Sequence, residues 1–308
     1  MIISASRRTD IPCYYSEWFV NRLKEGYALI ANPWNADRLG RVELSPRNVD
    51  CIVFWTKNPA PMLNRLSEID GMGYPYYFEF TITAYDNTVE RNLPDKKDII
   101  ETFKRLSDQI GPEKVDWRFD PIQKNEQFTA EWIAEQFAML CKQLHDDTER
   151  CIISFVDDYS HTKNRIDLMS RSEMYEIAES ISTVAGEFHL PVFSCSEEID
   201  LSALGIQHSS CIDPHKIERV IGCPITAKKD KGQRLTCGCI ESIDIGAYDT
   251  CSNGCIYCYA AKSEKVIQRR RQNHDPELPL LTGLPKGTEI ITDRTKPSQK
   301  NHQLSIDT

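Results

Sequence analysis

Cys251, Cys255 and Cys258 stand in a Cys-x3-Cys-x2-Cys spacing inside Asp249-Thr-Cys-Ser-Asn-Gly-Cys-Ile-Tyr-Cys-Tyr259. Three thiolates this close along the chain can fold around one iron-sulfur cubane. They bind three irons and leave the fourth open, whereas an electron-transfer cluster normally takes four cysteines. An open iron is a reactive one. Structural zinc also gathers cysteines, typically as two Cys-x2-Cys hooks that close four tetrahedral positions. Cys255 and Cys258 make one hook, but Cys237-x-Cys239 is a poor second, so the spacing favours iron-sulfur over zinc and over unligated core thiols.

The elements that must position this loop are readable from hydrophobic pattern. Short β-branched and aromatic runs read as strands: Ile2–Ser4, Ala28–Ala31, Cys51–Trp55, Tyr76–Ile82, Val115–Phe119, Cys151–Val156, Val192–Cys195 and, just before the thiol loop, Ser242–Gly246. Helical patterns lie between them at Tyr15–Glu25, Ala60–Ile69, Lys96–Ile110, Thr129–Leu144, Ser172–Phe188 and Ala260–Arg271, and Ser170-x-x-Glu173 fits a capping box. Alternation of strand and helix predicts an α/β fold, a (β/α) barrel or partial barrel of six to eight mostly parallel strands. Residues 1–200 are expected to supply the barrel units. Residues 201–271 form a cysteine-rich segment with the final strand, the cluster loop and a helix, and residues 272–308 a polar, mobile tail. A parallel barrel puts its reacting groups at the strand C-termini. Those ends carry Ser6, Arg7, Asp10, Asn32, Thr56, Lys57, Asn58, Thr81, Arg118, Asp120 and Asp157. Taken singly, each also reads as a capping or loop residue.

Composition narrows the function. The 308 residues hold 37 Lys and Arg against 46 Asp and Glu, a net charge of -9, so no global positive field draws nucleic acid or anionic membrane. Charged residues at 27% and aromatics at 9% are those of a globular chain. No apolar run approaches the ~18 residues of a membrane span, and Met1–Asp10 lacks a signal-peptide core, so a soluble cytoplasmic protein is expected. Twelve cysteines, eight of them from Cys195 to Cys258, then point to metal or redox chemistry rather than disulfides. The basic runs Lys228-Lys229-Asp230-Lys231 and Arg269-Arg270-Arg271 read first as solvated faces, and nucleic-acid binding through Arg269–Arg271 is the weaker reading. The seven histidines form no zinc-hydrolase pattern, and no glycine-rich phosphate cradle is present.

The Cys-x3-Cys-x2-Cys spacing with an aromatic before its third cysteine resembles the signature of the radical S-adenosylmethionine superfamily. That resemblance implies a 4Fe-4S cluster on Cys251, Cys255 and Cys258, with S-adenosylmethionine chelated by the open iron and cleaved reductively to a 5'-deoxyadenosyl radical. It implies an electron donor such as flavodoxin or ferredoxin, and Tyr257 packed on adenine. In that superfamily the motif follows the first barrel strand, while here it lies late in the chain, so the resemblance implies a circular permutation that sets Ile2–Ile3 beside Ile243. Ser6, Arg7 and Arg8 would then lie near the methionyl amino group, and Thr56, Lys57, Glu79, Thr81 and Arg118 are candidates for ribose and carboxylate. Auxiliary clusters recur in the superfamily. Here Cys211, Cys223, Cys237 and Cys239 are the candidate second metal site, with Cys195 facing the mouth alone; the bland alternative is that all five are buried apolar residues. At a finer level Ile3-Ser-Ala-Ser-Arg-Arg-Thr-Asp-Ile-Pro12, Asp50-Cys-Ile-Val-Phe-Trp-Thr-Lys-Asn-Pro59 and Asp244-Ile-Gly-Ala-Tyr-Asp-Thr-Cys251 resemble the bacterial domain-of-unknown-function family 1848, which brings no settled reaction. The cluster loop alone is also similar to that of spore photoproduct lyase. The reading from another class is a non-catalytic iron-sulfur or zinc protein that meets nucleic acid.

Overall fold

Where β-branched and aromatic residues run together the chain extends, and where apolar residues recur every three or four positions it coils. The computed structural model describes residues 1–162 and 166–301. Its strands are β1 (Ile2–Ala5), β2 (Tyr27–Asn32), β3 (Asn35–Glu43), β4 (Cys51–Thr56), β5 (Tyr76–Thr81), β6 (Val115–Ile122), β7 (Cys151–Phe155), β8 (Val192–Cys195), β9 (Gln207–Ser209), β10 (Ser242–Asp244) and β11 (Ile290–Asp293). Its helices are α1 (Ile11–Tyr14), α2 (Ser16–Glu25), α3 (Ala60–Leu63), α4 (Leu66–Gly71), α5 (Lys96–Ile110), α6 (Ala130–Leu144), α7 (Arg171–Glu187), α8 (Pro214–Ile221) and α9 (Glu264–Gln272). The capping box at Ser170 and Glu173 forms in full.

Eight strands make one parallel sheet in the order β10-β1-β4-β5-β6-β7-β8-β9. Its edge strands β9 and β10 are not joined, so the sheet is a partial barrel. The late strand β10 lies against the first: Ile3 is opposite Ile243 on one side and Ile52 on the other. Strand alternation separates two unlike faces. Ile3, Ala5, Ile52, Phe54, Phe78, Phe80, Val115, Trp117 and Phe119 point to a core shared with α2, α5, α6 and α7. On α5 this core takes Ile99, Ile100, Phe103, Leu106 and Ile110, one helical stripe. Ile2, Cys51, Val53 and Tyr77 point the other way, onto Ile212 and Ile217 and the cysteine-rich segment around Cys237 and Cys239.

Three expectations are corrected. Ala28–Ala31 is no barrel strand: β2 pairs antiparallel with β3 in a separate three-stranded sheet completed by β11, because the nearby turn offers a local partner first. Asn32 is therefore not at the barrel mouth. The helix expected over Ala60–Ile69 is two short helices, α3 and α4. Residues 272–301 do not trail away. Leu280 and Leu281 are buried, the Trp18 indole donates to the Leu278 carbonyl at 2.9 Å, and Asp50 accepts from the Ser298 hydroxyl at 2.6 Å and the Gln299 amide at 2.7 Å. The polar composition hid these contacts because most are hydrogen bonds rather than an apolar stripe. Residues 302–308 lie outside the described residues.

Gly246, just past β10, is a close-approach position. A Cβ there would overlap the Ser6 hydroxyl, lie 2.6 Å from Ser6 Cβ and 3.1 Å from Thr9 Cγ2. Gly246→Ala is expected to lower stability by about 1–3 kcal/mol, the usual cost of overpacking. Urea unfolding measures it, and a loss below about 0.5 kcal/mol, the scale of an ordinary surface change, would show that Ser6 moves aside freely.

Candidate functional site

The thiol loop leaves β10 and is held from several directions at the C-terminal end of the sheet. Tyr14 Oη donates to Asn253 Oδ1 at 2.7 Å, Tyr15 Oη to the Thr250 carbonyl at 2.7 Å, and Asn253 Nδ2 to Asp10 Oδ2 at 3.2 Å. The loop after β5 grips the other side: Glu90 and Cys255 form an antiparallel bridge, the Ile256 amide donates to the Val89 carbonyl at 3.0 Å, and Asn92 Nδ2 donates to the Ser252 carbonyl at 2.7 Å. His161 Nε2 lies 2.9 Å from the Cys258 carbonyl, and Tyr259 Oη donates to the Arg7 carbonyl. Gly254 adopts φ +70°, and a Cβ there would meet Asn92 Nδ2 at 2.9 Å, so the tight fit of the two loops requires glycine.

The three thiols act on one another. Burial, then Asp10, Cys258 and Cys255 in that order among the charges, pushes the Cys251 thiol well above its usual range. Burial also raises Cys255, to about 12, although Lys57 opposes it. Ionising all three would crowd negative charge in a dry place, and a metal core supplies the positive charge that such a set lacks. Among the described residues no three His, Cys, Asp or Glu side chains converge on the position of one metal ion. A cubane, in which each thiolate binds a different iron, does not ask for that convergence, and three soft thiolates are its donor set.

Around the loop lies a charged framework. Asp10 caps α1 through the Cys13 amide at 3.0 Å and takes the Thr56 hydroxyl at 2.7 Å and the Lys57 amide at 2.8 Å, so Thr56 is a buried support. Lys57 Nζ pairs with Glu90 Oε1 at 2.7 Å and stands 5.6 Å from the centre of the Tyr257 ring. Glu90 also pairs with Lys96 and accepts from Thr83 and Tyr257. Burial opposes its charge, but Lys57 and Lys96 hold Glu90 down at about 2. Ser6 Oγ donates to Asp244 Oδ1 at 2.7 Å and the Arg7 amide to Asp244 Oδ2 at 2.9 Å, joining the ends of β1 and β10.

Tyr257 differs from the expectation of an adenine platform. It is 7% exposed, hydrogen-bonded to Glu90 and packed with Tyr85, Val89, Phe128 and Val156 beneath the loop. With Lys57 at one side and Tyr85 at 6.2 Å, its ring has little free face to offer.

A second group of candidates lies across the mouth. The guanidinium carbons of Arg7 and Arg118 stand 5.9 and 5.4 Å from the Trp55 ring centre, and the buried Trp55 Nε1 has no partner among the described residues. Arg118 Nη1 donates to Glu79 Oε2 at 3.1 Å and Nε to Asp120 Oδ1 at 3.1 Å, while Thr81 Oγ1 reaches Asp120 only at 3.5 Å. Glu79 is fully buried, its Oε1 is unpartnered among the described residues, and burial followed by the charge of Asp116 raises it to about 8. Of the remaining cysteines, Cys195 and Cys211 touch at 3.0 Å, and Cys211, Cys239 and Cys237 continue the chain of thiol contacts. Cys195, expected to face the mouth alone, thus joins this chain of contacts, because the register between β8 and β9 brings it there; Cys223 lies just past α8.

The basic helix α9 spends much of its charge internally. Arg270 Nη1 donates to the Tyr248 carbonyl, and the Arg271 guanidinium lies 4.5 Å from the Tyr14 ring centre. At the other edge of the mouth Glu197 accepts the Phe155 amide at 2.9 Å, and burial raises its carboxyl to about 7. A carboxyl raised in the folded state contributes stability fully below its unfolded pKa, ~4.3 for glutamate, and loses it as pH rises through the folded value. Wild-type stability should therefore fall between about pH 5 and 7 by more than that of Glu197→Gln, read by urea midpoints along the pH series. Parallel pH curves for the two proteins would remove Glu197 as the cause.

Sequence reasoning missed Glu90, Lys96, Asp244, Asn253 and His161. Asp244 stands just before the motif and Asn253 lies inside it. Glu90, Lys96 and His161 come from separate loops and a helix start, and no spacing announces them.

Fold and site define an α/β protein, a partial parallel barrel with a three-cysteine loop held at its C-terminal mouth beside a Lys57-Glu90-Lys96 charge cluster. The chain belongs to the family described as domain of unknown function DUF1848, whose model matches residues 2–260. No curated protein matches it. Among solved structures it is similar to one from Bacteroides thetaiotaomicron VPI-5482 whose assignment as an alpha-L-fucosidase is itself provisional, at 8% identity and a TM-score of 0.26, covering 74% of this chain and 83% of that one. A likeness that distant says nothing about chemistry. No helix among the described residues is long and apolar enough to cross a membrane.

Proposed function

We propose that this protein is a radical S-adenosylmethionine enzyme on a permuted partial barrel, with Cys251, Cys255 and Cys258 as the three protein ligands of a 4Fe-4S cluster. One observation carries the reading: a Cys-x3-Cys-x2-Cys loop follows a strand that pairs with β1, and its thiols sit where a parallel barrel keeps its reacting groups. When bound, the cluster would supply the electron that cleaves S-adenosylmethionine to methionine and a 5'-deoxyadenosyl radical.

The other roles belong to this chain's own residues. Lys57, beside Cys255, offsets thiolate charge, and Glu90 holds the ammonium in place. The Glu90 clamp and the Asn253-Asp10 bond keep the loop from opening. Arg7, whose guanidinium stands 5.9 Å from the Trp55 ring centre, offers a group suited to a carboxylate, whereas Arg118 spends its donors on Glu79, Asp120 and Cys211 and orders that part of the mouth. An electron donor such as flavodoxin or ferredoxin would dock near the loop. The test is anaerobic reconstitution with iron and sulfide, then dithionite and S-adenosylmethionine, with 5'-deoxyadenosine followed by chromatography. Nucleoside formation supports the reading, and none from a fully loaded cluster would overturn it.

A further inference from the structure

Cys195 ends β8, and the parallel register sets it opposite Ser209 at the end of β9, two residues before Cys211. Their Sγ atoms stand 3.0 Å apart. That is inside the ~3.8 Å edge of a zinc tetrathiolate with ~2.3 Å bonds, and about 1 Å from the ~2.05 Å of a disulfide. The two thiols also differ in access: Cys195 is half-buried, whereas Cys211 is 3% exposed, with Arg118 Nη1 donating to its sulfur at 2.7 Å.

We propose that Cys195 and Cys211 form a redox-active dithiol that takes a low-molecular-weight disulfide, of the glutathione disulfide class, as its oxidant. Cys195, the more accessible thiol, loses its proton and attacks one sulfur of the small disulfide. The first small thiolate leaves and takes up that proton. Cys211 then loses its proton and attacks the Cys195 sulfur, forming the Cys195-Cys211 bond and expelling the second small thiolate, which is protonated in turn. Two protein thiols are oxidised by two electrons, and one small disulfide is reduced to two thiols. The Arg118 guanidinium stabilises the Cys211 thiolate as it attacks. The contact with Cys211, then burial, pushes the Cys195 thiol well above its usual range, so exchange near neutrality is slow. Because Arg118 also holds Glu79 and Asp120, closing the bond withdraws one of its acceptors and ties the redox state of the pair to the charged mouth. None of this depends on the cluster reading.

The reduced full-length protein, its iron and zinc quantified, is incubated anaerobically for hours with glutathione disulfide, quenched with N-ethylmaleimide and mapped by non-reducing peptide mass spectrometry. The expected result is a Cys195-Cys211 cross-linked peptide that dithiothreitol reverses, and its loss in Cys195→Ser without glutathione appearing on Cys211. No cross-link, a glutathione adduct that persists on Cys195, or a zinc or iron atom that Cys195→Ser alone releases would each overturn the proposal. Peptide mapping reads this pair separately from Cys251, Cys255 and Cys258.

Discussion

Cys255→Ala is expected to bring 5'-deoxyadenosine formation below detection, because two thiolates cannot hold a cubane that needs three protein ligands to keep one iron open. The same variant should retain less iron than the wild type after identical reconstitution. Cys255 also faces Glu90 across an antiparallel bridge, so a loss of activity has to be separated from a loss of fold. The bridge uses backbone groups, which alanine keeps, and the residue as a whole is only partly buried. Stability by urea unfolding should therefore change by no more than about 1 kcal/mol, the centre of the range for point mutants. Nucleoside at wild-type levels from Cys255→Ala would refute the ligand assignment even if the wild type is active.

The sheet was legible because its residues do two jobs at once. In Val115-Asp116-Trp117-Arg118-Phe119-Asp120 apolar and charged residues alternate, and the structure sends Val115, Trp117 and Phe119 to the helices and Asp116 and Arg118 to the opposite face. The same holds for Phe78 and Phe80 against Tyr77 and Glu79. Helix α5 was legible at both ends, since five apolar residues recur on one stripe. The pairing of β10 with β1 was expected from the resemblance, whose late motif implies a permutation that sets Ile2–Ile3 beside Ile243, and the structure has Ile3 opposite Ile243.

What was not legible is everything decided by which loops meet. Glu90 holds the thiol loop only because the segment after β5 folds over it, and Lys96, at the start of α5, then supplies the second ammonium. Cys195 touches Cys211 for the same reason: register between β8 and β9, invisible in spacing, brings residues 16 apart into contact. Tyr257 illustrates the reverse failure. Its position between two cysteines suggested a ring free to stack, but the phenol finds a buried carboxylate below the loop and turns inward.

Asp116→Ala should cost about 3–5 kcal/mol of folding stability, the range for removing one partner of a buried ion pair. Asp116 is fully buried and serves two cations: Arg150 Nη2 donates to its Oδ2 at 2.9 Å, and Lys216 Nζ pairs with its Oδ1. Arg150 retains Asp213 at 2.9 Å when Asp116 is lost. Lys216, itself fully buried on α8 against the Tyr77 ring, retains among the described residues only Glu149 at 3.3 Å and becomes an ammonium without adequate compensation. The cost thus resides in the stranded charge rather than in the lost carboxylate. A double variant tests that attribution: Asp116→Leu with Lys216→Met removes both charges, and replacing a buried pair by apolar side chains is often neutral or stabilising. Urea midpoints at constant slope should therefore place the double variant within about 1–2 kcal/mol of the wild type and well above Asp116→Ala. If the double variant is as unstable as the single one, the network contributes through packing and geometry instead, and the stranded-lysine account fails. The difference matters for the site, because this network ties α8 to the sheet face on which Glu79 and Arg118 lie.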